Sequence, residues 1–142
     1  MTMPAHSTPL PAAYAHNGQP CTREAFYAMA CDPQRNVVVQ ACAGAGKTWM
    51  LVSRILRALL DAQSASEGLA PHTILAITFT KKAAGEMRQR LQEWLEAFAQ
   101  ADDATLASEL QYRGVSSQIA LQANGTMREQ LSNLYRSVLD SG

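Results

Sequence analysis

Three consecutive valines, Val37, Val38 and Val39, lead into a loop of small residues and then into a lysine-headed amphipathic stretch. No other part of the chain constrains the fold as much. A β-branched apolar run suits a strand covered on both faces, as in a parallel sheet, so a strand is expected over 36–41. From Lys47 to about Ala62, Leu51, Ile55 and Leu59 recur at i, i+4 and i+8. Val52, Leu56 and Leu60 widen the stripe, which predicts a helix with one buried face.

The same unit then repeats. A polar linker over 63–68 precedes a second short apolar run over 73–78, TILAIT. A second long helix is expected over 81–99, with Ala84, Met87, Leu91, Trp94, Leu95 and Phe98 turned inward. The order strand, helix, strand, helix with short connections implies a right-handed parallel α/β unit.

The flanks read differently. Residues 22–30 predict a helix capped by Thr22, with Ala25, Phe26 and Met29 on one face, and Asp32-Pro33 ends it. Beyond Ala101 the chain reads as helical, with Leu106 and Leu110 on a short helix that Asp102 or Asp103 would cap. Thr126 and Glu129 spell a capping box ahead of Met127, Leu131, Leu134 and Val138. Residues 1–20 contain Pro4, Pro9, Pro11 and Pro20 and hold no period, so a flexible leader is expected there.

Composition sets limits. The 142 residues fit one domain, and 47% apolar content is enough for one core. There is no apolar run of about 18 residues and no basic-then-apolar N-terminus, so neither a membrane span nor a secretory signal is expected and the cytoplasm is favoured. Cys21, Cys31 and Cys42 are odd in number, widely spaced and without a C-x-x-C pair, which points to free thiols rather than a zinc site or disulfide framework. Lys and Arg number 12, as do Asp and Glu, so the formal charge is zero. Overall charge gives no support for DNA binding, and that argument must come from a motif.

The loop Ala41, Cys42, Ala43, Gly44, Ala45, Gly46, Lys47, Thr48 lies between the expected strand and helix, the context a phosphate-binding P-loop requires. Bulky side chains would keep backbone N–H groups from closing round a phosphate, and here they are nearly absent. Gly44 and Gly46 can take angles closed to other residues. The helix behind them aims free N–H groups and its positive end at the same anion. Lys47 is expected to reach the β- and γ-phosphates of a nucleotide, and the Thr48 hydroxyl to ligate Mg²⁺. The strict pattern wants glycine where Ala41 stands.

Residues 77–88, running Ile77, Thr78, Phe79, Thr80, Lys81, Lys82, Ala83, Ala84, Gly85, Glu86, Met87, Arg88, resemble motif Ia of superfamily 1 helicases of the UvrD/Rep type. That family writes T-F-T-N-K-A-A-x-E-M, with asparagine common where Lys81 stands. Its P-loop reads A-x-A-G-x-G-K-T, so Ala41 is expected. The resemblance covers roughly 22–99, and the wording of 43–57 is similar to the AddA/RecB-like helicase–nuclease branch. It implies a partial RecA-like P-loop NTPase domain of parallel strands with flanking helices, beginning at about residue 21 and followed over 101–142 by a helical segment. It implies ATP and Mg²⁺ as cofactors, Lys47 and Thr48 as catalytic groups, and a role in recombination or repair. It also implies single-stranded DNA contact through Thr78, Phe79, Thr80 and Lys81, and a further component of a helicase–nuclease complex as a partner. A hydroxyl at a strand end can bond a phosphate, and an aromatic face can stack a base. Lys81, Lys82, Arg88 and Arg90 would add a local basic surface. The family's adenine-reading motif L-N-x-x-Q-x-x-A is poorly matched, because Thr22 falls at the glutamine position and Gln19 lies three residues earlier.

Hydrolysis also needs carboxylates to hold the metal's water shell and to activate the attacking water. Asp102-Asp103 continues a helix and Asp32 precedes a proline, so neither qualifies. Arg113 and Arg136 have nothing to place them near a γ-phosphate. The expectation is therefore a fragment that supplies part of an ATP site, and the alternative is a weakly nucleotide-binding chain with no catalysis of its own.

Overall fold

The computed structural model describes residues 13–42, 46–64, 73–115 and 125–140. The described elements are β1 (Ala15–His16), β2 (Gln19–Pro20), α1 (Arg23–Ala30), α2 (Lys47–Ser64), α3 (Lys81–Gln100), α4 (Asp103–Tyr112) and α5 (Gly125–Asp140).

The helices start where local chemistry directs. The Thr22 hydroxyl accepts from the Ala25 N–H at 3.1 Å, Thr80 from Ala83 at 3.0 Å, and an Asp102 carboxylate oxygen from Thr105 at 2.7 Å. Each satisfies a first-turn donor that has no partner inside its helix. Helix α4 ends in a left-handed turn: the Gly114 N–H donates to the Gln111 carbonyl and Val115 to Leu110, the paired bonds of a Schellman motif. Helix α5 begins at Gly125, so Thr126 lies inside it.

One apolar cluster joins α2, α3, α4 and α5. Val52, Leu56 and Leu59 from α2 meet Leu91, Leu95 and Phe98 from α3, Leu106 and Leu110 from α4, and Leu131, Leu134 and Val138 from α5. Leu56, Leu95 and Leu134 are fully buried. Truncating such a leucine to alanine typically costs about 2–5 kcal/mol. The helical stripes are those expected, with shifts. Val52 and Leu56 lie deeper than Leu51 and Ile55, which sit at the rim. Ala84 is exposed. In α1, Tyr27 and Ala30 are buried while Ala25 is exposed, because α1 turns its Tyr27 edge toward Trp49 of α2.

The expected parallel sheet is not formed among the described residues. The sheet present there is the two-stranded antiparallel pair β1–β2. Runs 36–41 and 73–78 enter no ladder. Over 74–79 burial still alternates: Ile74, Ala76 and Thr78 are half-buried, whereas Leu75, Ile77 and Phe79 are exposed. Helices cover one face of this run, and the described residues put nothing on the other. Val38 is likewise 94% exposed. An apolar run fits a buried strand only when both faces are covered and neighbouring strands take up its N–H and C=O groups.

The proline-rich leader expected over 1–20 ends in regular structure. Ala15 pairs with Pro20 and His16 with Gln19, and Cys21 adds a bond to the Tyr14 carbonyl. Asn17 and Gly18 turn the chain with φ of 50° and 80°, as a two-residue type I′ hairpin requires. The Asn-Gly pair was the available sequence signal for this hairpin.

Arginines of α2 tie α1 to the core. One Arg54 guanidinium nitrogen donates to the carbonyls of Ala30 at 3.0 Å and Asp32 at 2.7 Å, and the other donates to Arg35. Arg57 donates to Ala28 at 3.1 Å. On the other side of α1, Gly114 approaches so closely that an added Cβ would lie 2.5 Å from the Ala28 Cα. Its φ of +80° adds strain for any larger residue. Gly114→Ala is expected to lower stability by about 1–3 kcal/mol in urea unfolding, the usual cost of overpacking. An unchanged midpoint would show that α1 and α4 do not meet this closely.

Candidate functional site

The described loop residues converge at the head of α2. Gly46 has a φ of +88°, open to glycine and strained for other residues. The Met50 N–H donates to the Gly46 carbonyl at 3.0 Å, so the N–H groups of Lys47, Thr48 and Trp49 lead the helix ahead of its first internal bond. Lys47 Nζ donates to the Ala41 carbonyl at 2.9 Å and so bridges the two ends of the loop. Cys42 and Thr48 are exposed. Ala43, Gly44 and Ala45, which complete the expected phosphate loop, lie outside the described residues.

A cleft of about 530 Å³ opens beside this point. Gly46, Lys47 and Met50 line one part, the run Val38 to Ala41 another, and Phe26, Tyr27, Ala13, Tyr14, Ala15, Asn17 and Gly18 the rest. Among the described residues, no aspartate or glutamate lines it, and Lys47 is its only cationic lining residue. Its walls are otherwise neutral, a setting suited to an anionic group carried on an apolar body.

The expected DNA contacts sit elsewhere on the chain. Phe79 is fully exposed at 105%. The Thr80 oxygen caps α3 as an acceptor, and Lys81 is exposed at the first position of that helix. Thr78 is half-buried. Lys82, Arg88 and Arg90 are exposed, and Arg88 also reaches the Val138 carbonyl of α5 at 3.5 Å.

Sequence reasoning gave Arg113 no role. It is 2% exposed and sits against three rings: its guanidinium carbon is 4.1 Å from the centroid of Trp94, 4.8 Å from Trp49 and 4.8 Å from Phe98. It donates to the Glu109 carbonyl at 2.9 Å and pairs with the Glu109 carboxylate at 2.7 Å. Burial pushes its pKa down, and Glu109 opposes the shift. Trp49 directly follows Thr48, so this cage fixes the first turn of α2. Tryptophans spaced as Trp49 and Trp94 are do not announce a shared cation in the sequence.

Cys31 is also fully buried, beneath α2, and its thiol faces the Met50 carbonyl at 3.9 Å. Desolvation raises its pKa to about 11, against the opposing fields of Arg57, Arg113 and Arg54.

Residues 21–137 match the UvrD/REP helicase N-terminal domain. The chain belongs to that family of helicase domains. Over 67 residues it is 45% identical to an ATP-dependent helicase/nuclease subunit of Moorella thermoacetica, covering 47% of this chain and 5% of that protein. It is 46% identical over 59 residues to DNA helicase II of Escherichia coli, covering 42% of this chain and 8% of that one. DNA helicase II of Haemophilus influenzae is 47% identical over 68 residues, covering 48% and 9%. The chain thus spans less than a tenth of the length of these relatives. No solved structure gives a significant match. No helix among the described residues is long and apolar enough to cross a membrane.

The buried thiol gives a pH prediction. A folded pKa near 11 against an ordinary 9.0 means that the folded state keeps a proton the unfolded state has lost. The resulting stabilisation is complete below pH 9 and is lost as pH rises toward 11. Cys31→Ala is expected to flatten the fall in urea midpoint across that window. A fall as steep as in the parent would exclude this origin.

Proposed function

We propose that the chain is the ATP-binding N-terminal part of an ATP-dependent DNA helicase acting in recombination or repair, and that residues 41–48 are its phosphate loop. The observation that carries this is Lys47, drawn onto the Ala41 carbonyl at the head of α2 and facing the cleft. With a nucleotide present, Lys47 exchanges that carbonyl for phosphate oxygens. On this reading residues 41–46 would offer backbone N–H groups to the phosphates, and the leading N–H groups of α2 would complete the cradle. Thr48, exposed in the first turn, would hold Mg²⁺ through its hydroxyl, and the ion would neutralise phosphate charge. Membership of the helicase family and the relatives' names support this reading.

The exposed edges fit the same proposal. Val38, Leu75 and Ile77 are surfaces for the further strands and helices of a RecA-like parallel sheet. Phe79 then stands at a strand end with its face open for stacking on single-stranded DNA. The Thr80 hydroxyl, an acceptor in its cap, keeps its proton for a phosphate. Thr78 and Lys81 flank them, and a further component of a helicase–nuclease complex is a fitting partner.

A second reading is favoured by one observation: among the described residues, no carboxylate lines the cleft. The isolated chain on this reading binds nucleotide and does not turn it over. Purified 1–142 is expected to bind ATP in a fluorescence titration and release no phosphate above background. Lys47→Ala should weaken binding at least tenfold, since a charge-assisted bond is worth about 1.5–3 kcal/mol. Wild-type affinity in Lys47→Ala would refute the phosphate-loop assignment. In the complete helicase, Phe79→Ala is expected to weaken single-stranded DNA binding roughly tenfold, from the worth of one base stack. Unchanged DNA affinity would remove Phe79 from the interface.

A further inference from the structure

We propose that Arg113 is a positioning residue for the phosphate loop, acting through Trp49 to hold the first turn of α2 at the angle that suits phosphate. The inference rests on the phosphate-loop reading and adds to it a means by which the turn after α4 sets nucleotide affinity.

The first turn of a helix frays most readily, because its leading N–H groups have no partner inside it. In α2 that turn carries Lys47 and Thr48, both exposed. Its packing therefore falls to the half-buried Trp49 and Met50. The Trp49 ring meets Tyr27 of α1 at 5.1 Å and Trp94 of α3 at 5.8 Å, and the Arg113 guanidinium carbon lies 4.8 Å from its centroid. Attraction between a cation and a ring strengthens where water is excluded, and Arg113 is 2% exposed.

Arg113 is itself held at both ends. Its backbone leads into the Schellman turn, where Gly114 and Val115 donate to Gln111 and Leu110, and Gly114 lies against the Ala28 backbone. Its guanidinium is fixed by the Glu109 carboxylate at 2.7 Å and by the Trp94 ring at 4.1 Å. A shift of the turn after α4 therefore moves Trp49, the neighbour of Thr48. Among the described residues, none that lines the cleft belongs to α3 or α4, so Trp94 and Arg113 act on it at one remove. Such coupling is reciprocal: a cage that favours bound phosphate is favoured by it in turn. The chain has two tryptophans, and both are in the cage, so tryptophan emission reads the cage alone.

The test uses the full 142-residue chain, with inorganic tripolyphosphate and ATP as competitors of a fluorescent ATP analogue, well below each variant's thermal midpoint. Arg113→Met, similar in length and uncharged, is expected to weaken tripolyphosphate and ATP alike, by roughly five- to tenfold. Arg113→Lys, still charged, should recover part of that loss. Leu134→Val, a core change outside the cage, should lower the thermal midpoint and keep the parent's affinity. In Trp49→Phe the remaining tryptophan is Trp94, and saturating tripolyphosphate should reduce its quenching by acrylamide. Parent-like affinity in Arg113→Met overturns the proposal. Arg113→Lys as weak as Arg113→Met would assign the loss to packing and overturn the role of the cation. Trp94 quenching that tripolyphosphate leaves unchanged also overturns it, and that measurement stands even where Arg113→Met does not fold. Lys47→Ala separates the two readings. If it weakens tripolyphosphate while Arg113→Met does not, the phosphate loop stands and the positioning role falls. If Lys47→Ala binds like the parent, both fall.

Discussion

The Arg113 guanidinium, enclosed by Trp49, Trp94 and Phe98, is the contact on which the arrangement of the helices turns. A cation taken out of water needs compensation, and here three ring faces and the Glu109 carboxylate provide it. The rings belong to α2 and α3, whereas the cation belongs to the turn after α4. One buried charge therefore fixes three helices, and it does so beside Thr48. Its Nε has no hydrogen-bond partner among the described residues, so the rings carry much of the compensation.

The cage is one end of a longer aromatic path. Trp49 meets Tyr27 at 5.1 Å, and Tyr27 meets Phe26 and Tyr14. Ring contact thus runs from the hairpin through α1 and α2 to α3, and its Tyr14, Phe26 and Tyr27 line the cleft. The arginines on α2 reinforce it: Arg54 and Arg57 bond to backbone carbonyls of 28–35, which hold α1 and the turn after it against α2. The cleft is formed by parts distant in sequence, and packing rather than local propensity brings them together.

How much was legible depends on the range of the interaction. Thr22 and Asp102 cap helices through bonds three residues long, so their roles follow from spelling; Thr80, read only for DNA contact, caps α3 in the same way. The stripe Met87, Leu91, Leu95, Phe98 is buried as its period requires. The positive φ of Gly46 was likewise legible, since a tight small-residue loop leading into a helix calls for it. The strands were not, because β structure exists only with a partner, and apolar runs such as 36–41 or 73–78 do not name theirs. The hairpin was signalled by Asn17-Gly18 but obscured by the surrounding prolines.

By itself the sequence determined the long helices, the caps at Thr22 and Asp102, the buried stripes of α2 and α3 in outline and membership of a helicase domain family, because these depend on periodicity, short-range bonds and motif wording. Only the tertiary structure decided that Arg113 is buried among rings, that Gly114 touches α1, and that the hairpin and α1 share a cleft with Lys47. Those facts join residues tens of positions apart. No local pattern encodes them, since each depends on how complete elements dock against one another.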